Sequence, residues 1–176
     1  MQALNPQNGK FSLGTQHTIA TGNTSGGRYY QIDPTPSTGP VVLMEATITV
    51  PNTFVFNGAI APDRQRNGSI RQFGDSYVVQ YNVSGSNVFP GIQASSSAKG
   101  GALIGPTAIV NGTAAYQDFN LAGTVADCDW SDTAGAAPDP NPTAGTTGAV
   151  WGTNQYSTGG STSGAPWATQ IFNVKP

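Results

Sequence analysis

The stretch Val41-Val42-Leu43-Met44-Glu45-Ala46-Thr47-Ile48-Thr49-Val50 decides the fold class. Val42, Met44, Ala46, Ile48 and Val50 share one parity, and Glu45, Thr47 and Thr49 the other. A period of two puts apolar side chains on one face of a strand and polar ones on the opposite face. Pro51 stops the run, because it has no backbone N–H to donate to a ladder.

The same pattern recurs on both sides of this stretch. Phe11, Leu13, His17 and Ile19 share parity across 11–21, and a turn at 22–27 leads to a short strand at 28–32. Strands are expected at 54–61, 69–73 and 76–83, where Tyr77, Val79, Tyr81 and Val83 alternate with Val78, Gln80 and Asn82. Pro62 to Gly68 reads as a polar turn. Residues 88–93 read as a short strand that Pro90 makes an edge or a bend. Ala94 to Gly101 reads as a flexible polar segment and 102–110 as an apolar run broken by Gly105-Pro106. Asn111-Gly112 is a two-residue hairpin signal, with a strand expected from Thr113 to Val125. Two last strands are expected at 149–156 and 167–174.

Composition excludes a helical protein. There is one Glu, with three Lys and five Leu, whereas Val, Ile, Thr, Tyr and Phe fill the ordered-looking stretches. The expectation is an all-β, single-domain β-sandwich or jelly-roll-like fold. Its parts are an N-terminal arm at 1–10, a β-sandwich core at 11–126, an acidic then Pro/Gly/Thr-rich loop at 127–148, and C-terminal strands at 149–176 that pack on the core or on a neighbour.

The net charge of −2 carries no basic stripe. Arg64, Arg66 and Arg71 flank one turn, too few for a nucleic-acid surface, whose affinity scales with the phosphates neutralised. No run reaches the roughly 18 apolar residues of a membrane span, and no signal peptide is visible. Neither a nucleic acid nor a membrane is therefore an expected partner. A single cysteine, Cys128, rules out an intrachain disulfide.

Four features bear on chemistry. Asp127, Asp129 and Asp132 fall within six residues, and carboxylates at such spacing can converge on calcium. The twelve-residue calcium-loop signature is absent, since Asp132 stands where its Gly would be and Pro138 where its Glu would be. No cofactor is expected, with calcium the one ion that this loop's chemistry admits. All three tryptophans lie towards the C-terminus, and Trp130, Trp151 and Tyr156 are the candidate ligand-binding residues. An indole in a Gly/Ser/Thr loop offers a flat face to a sugar ring, although core or interface is the commoner place for it. His17 is the sole histidine and has no nucleophile motif beside it, and Cys128 between two aspartates is a poor nucleophile. Glu45 and Asp118 are the carboxylates that a glycosidase would need to bring together.

These readings point away from an enzyme and towards a structural assembly protein, of the kind found as a virion surface or capsid decoration (cement) protein or a filament or shell subunit. The expected partners are further copies, as a trimer or larger, and neighbouring shell subunits. The expected location is a virion or extracellular surface. The alternative is a carbohydrate- or receptor-binding module that uses the C-terminal tryptophans, with a glycan as partner and calcium beside it.

Overall fold

A computed structural model describes residues 2–4, 11–67, 70–116, 130, 132–158 and 167–176. They form eleven strands in three antiparallel sheets, and among the described residues there is no helix. The all-β expectation is met.

The first sheet is a meander of β1 (Gln2–Leu4), β2 (Phe11–Thr21), β3 (Thr24–Asp33) and β4 (Val41–Ile48). The middle sheet is a second meander of β5 (Phe54–Asn67), β6 (Ile70–Gly85), β7 (Val88–Ser97) and β8 (Leu103–Val110). The third holds β9 (Gly135–Pro138), β10 (Val150–Ser157) and β11 (Trp167–Val174), with β10 in the centre. Every hydrogen-bonded pair of strands is consecutive in the chain, so the described strands make no Greek-key crossing. The residues of the expected arm include β1, which pairs along β2.

β6, in the interior of the middle sheet, is buried on both faces. Every residue from Ser76 to Val83 on β6 is buried. Tyr77, Val79, Tyr81 and Val83 meet Tyr29 and Ile48 of the first sheet in one core. Val78, with Ala61 and Ala94, meets Val150 of the third sheet in a second, smaller core, edged by Ile109, Ala136 and Val174. Polar pairs fasten the first interface: Ser12 Oγ lies 2.6 Å from the Tyr77 hydroxyl, and Gln16 donates to Gly58 O at 2.6 Å.

Several sequence expectations need correction: β3 starts at Thr24, inside the expected turn at 22–27, and β9 lies inside the expected loop at 127–148 and pairs with β10. Pro62 to Gly68 is not a turn throughout: β5 runs on to Asn67 and pairs with β6 out to Asn67↔Ile70. Its polar residues read as a loop, but the ladder with β6 continues through them, with Pro62 and Asp63 buried. Ala94 to Gly101 is not flexible, since β7 extends to Ser97 and Ala94, Ser95 and Ser97 are buried. Small side chains are what a tightly layered sheet accommodates there. Asn111-Gly112 opens no hairpin within the described residues: 111–116 is not strand, and Thr113 N donates to Ser157 O at 2.9 Å. The rest of the expected strand at 113–125 lies outside the described residues. Pro90 falls where the β6–β7 register breaks, a place that tolerates a missing donor.

Candidate functional site

The second interface is polar at its centre. Asn57, Gln80 and Asn82 of the middle sheet face Asn154 of β10. Asn154 Nδ2 donates to Gln80 Oε1 at 2.8 Å and to Asn57 O at 3.0 Å. Asn57 Nδ2 donates in turn to Asn154 Oδ1 at 3.2 Å and Asn82 Oδ1 at 3.0 Å. Asn82 Nδ2 reaches Gln155 O at 2.7 Å, and Gln80 Nε2 reaches Thr153 O at 3.2 Å, so side-chain amides also take the carbonyls of β10.

Local backbone makes this possible. The β5–β6 register shifts between Phe56 and Ala59, and Asn57 has a φ of 45°. Asn accepts that left-handed conformation more readily than most residues. A bulge of this kind re-aims a side chain, and here it brings Asn57 to the third sheet.

Trp130 joins the same network. Its indole Nε1 donates to Asn82 Oδ1 at 3.1 Å, and its ring meets Phe56 and Tyr116 edge-on. Gln16, Phe56, Gly58, Trp130 and the exposed Asp132 line a cleft of about 380 Å³ beside it. Of the three candidate calcium ligands, Asp127 and Asp129 lie outside the described residues. Among the described residues no three of His, Cys, Asp and Glu gather at one place.

Trp151 and Tyr156 differ by an odd number of residues on regularly paired β10, so they lie on opposite faces of it. The structure therefore does not bring Trp130, Trp151 and Tyr156 together as one site. It instead places Trp151, Trp167 and Ile171 on the outer face of the third sheet, 41%, 41% and 68% exposed. Trp167 and Ile171 belong to this face through the β10–β11 register, a relation legible only once the strands are paired.

His17 is exposed on the first sheet and stacks on Tyr30 at 5.6 Å. Arg28 lies over the same ring and pairs with Glu45 at 2.8 Å. Asp118 and Cys128 lie outside the described residues, as do the side chains of Arg66 and Arg71.

One buried carboxylate stands apart from these surfaces. Asp63 is fully buried at the second register break of β5, between Pro62 and Arg64. Burial pushes its carboxyl above the usual carboxylate range, and nearby Asp75 pushes the same way. Hydrogen bonds from Ser76 N at 3.2 Å, from Gln65 and from Gly148 N oppose the rise. Among the described residues Asp75 Oδ1 is itself buried without a hydrogen-bond partner.

No protein-family model, no curated protein and no solved structure matches this chain.

The buried groups can be tested by substitution and by pH. Asn154→Ala strips partners from Gln80 and Asn57 and is expected to lose about 2–4 kcal/mol in urea unfolding, whereas Trp130→Phe keeps a ring and loses about 1 kcal/mol. Equal, negligible effects would show that the amides do not hold the sheets. For Asp63 the folded state binds the proton more tightly than the unfolded state, so its contribution to stability falls as pH rises. The fall starts near the ordinary carboxylate value of about 3.9 and levels off above the raised folded value. The urea midpoint of the wild type relative to Asp63→Asn should decline through that window; a rise would contradict the direction.

Proposed function

We propose that the chain is a non-enzymatic structural assembly protein, a shell or filament subunit of the kind that decorates virion surfaces. We read its fold as a layered β-sandwich in which the two outer sheets share the middle one. The observation that carries the reading is the edge that the first sheet leaves unpaired among the described residues. On β4, the last strand of that sheet, Val41, Val42 and Leu43 are 46%, 51% and 53% exposed. The β3–β4 ladder shifts between Gln31 and Ile32, leaving Leu43 as an extra residue on β4, and the three residues open a contiguous apolar patch at that edge. Such an edge is a template for another chain.

A second apolar patch supports the same reading. Phe54, Val88 and Phe89 are exposed at one end of the middle sheet, where Phe54 pairs with Ser84 and Val88 with Gly85. Ser25 bonds to Val55 next to Phe54, and Ser25 lies at the Gly27↔Ile48 end of the β3–β4 ladder. Val41 pairs with Asp33 at the other end of that ladder. The two patches thus sit at opposite ends of the subunit. Head-to-tail contact between unlike patches generates rings or filaments. With few charges in the chain, association would depend on shape and apolar contact more than on steering.

The partners in this reading are further copies, as a trimer or larger, and neighbouring shell subunits, at a particle or extracellular surface. Sedimentation velocity over a range of concentrations tests it. The wild type should form trimers or larger species, and Val42→Lys with Leu43→Lys should shift them to monomer with the fold retained. A wild type that stays monomeric throughout, or a variant that assembles unchanged, sinks the proposal.

A further inference from the structure

The geometry points to a second surface with a role of its own, in which the outer face of the third sheet is a binding platform for a linear, neutral polysaccharide. The register of β10 and β11 sets Trp151 opposite Asn173, Thr153 opposite Ile171, Gln155 opposite Thr169 and Ser157 opposite Trp167. These residues share one parity, with Val150, Gly152, Asn154 and Phe172 buried on the opposite face; Trp151, Thr169, Ile171, Asn173 and Trp167 are exposed, Thr153 is half-buried, and Gln155 and Ser157 are buried among them. The two tryptophans therefore stand six residue steps apart along the ladder, a span of about 20 Å. That is the reach of an oligosaccharide and not of a single sugar.

A hollow of about 390 Å³ is bounded by Trp167, Thr169, Gln155 and Thr153. A second, of about 380 Å³, is bounded by Trp151, Ile171 and Thr153. They share Gly135 and Thr153, so the two hollows adjoin, with Trp167 lining one and Trp151 the other. Gly135 and the alanines of β9 keep its flank low.

The chemistry selects the ligand class. The three strands carry no acidic, basic or histidine side chain, so the face offers nothing to a phosphate, a uronate or a polycation. It offers the exposed Thr169 hydroxyl and Asn173 amide and the half-buried Thr153 hydroxyl, which serve as donors and acceptors for sugar hydroxyls. Its indoles present flat apolar faces, suited to the C–H side of a pyranose ring. Both are mounted on paired strands, which limits the ordering that binding would require.

A second copy of the chain is a poorer occupant. The two tryptophans and Ile171 expose on the order of 300 Å² of apolar surface, against roughly 800 Å² per partner in a standard interface. They are also separated by polar side chains, whereas the core of such an interface is contiguous and apolar. The inference is independent of the assembly reading, since it uses neither β4 nor the Phe54 end.

Native affinity electrophoresis through hydroxyethylcellulose, xylan and galactomannan tests it, with polygalacturonate as the charged control. Retardation is expected in at least one neutral polymer and not in the control. Trp151→Ala and Trp167→Ala should each weaken it about tenfold, and the double variant should abolish it, with thermal unfolding unchanged. A hexasaccharide of the retarding polymer should compete and its disaccharide should not. No retardation in any neutral polymer overturns the proposal, as does wild-type retardation of the double variant. Loss of native mass in the tryptophan variants without sugar binding overturns it too, and gives this face to assembly instead.

Discussion

Asn154 is held at both ends of its amide between two sheets, and the rest of the molecule depends on that clasp. The chain has too few large apolar residues to seal two sheet interfaces with hydrocarbon alone. The aromatic and aliphatic side chains of β6 go to the first sheet, where Tyr29, Ile48, Tyr77 and Tyr81 build the larger core. The other interface receives little more than alanine and valine. There, Asn57, Gln80, Asn82 and Asn154 satisfy one another and the carbonyls of β10. A buried amide left unpaired costs more than a paired one gains. The network therefore fixes how the sheets align as much as how strongly they adhere.

That arrangement accounts for what the surface is free to do. Because β10 is anchored from beneath by Asn154 and Val150, Trp151 on its opposite face takes no part in the core. Trp151 and Trp167 can stand in solvent without loss to the fold. On the first sheet the same layering leaves the start of β4 beyond the core, with Val41 to Leu43 outside it and Met44, Ala46 and Ile48 packed inward. The two exposed apolar regions are thus separate products of one layered design.

Much of this was legible in the residues. The parity of Phe11, Leu13 and Ile19 marks β2, and the alternation after Val41 marks β4, because a half-buried strand writes its faces into the chain. The aromatic runs at Trp151 and Trp167 likewise mark β10 and β11. The third layer was not legible. Gln80 and Asn82 alternate with the aromatic and aliphatic residues of β6, and alternation cannot tell an amide facing water from one facing another amide. Asn57 was equally hidden, because its role depends on a bulge that only pairing with β6 reveals. Grouping Trp151 with Tyr156 failed because the two lie on opposite faces of β10, and Trp167 joins Trp151 only through the β10–β11 register.

The central claim is that β6 lies inside the molecule on both faces, with the third sheet fastened to it by amides. Native-state hydrogen exchange measures this strand by strand, because protection reports the opening free energy of each amide. The account predicts that amides of Val78 to Val83 exchange only through global unfolding. Those of Thr153 to Gln155 should do so at nearly the same free energy, while those of β4 and β8 open locally. If the β10 amides exchanged through an independent, low-energy opening, the third sheet would be a loosely attached layer and the clasp would not be what holds it.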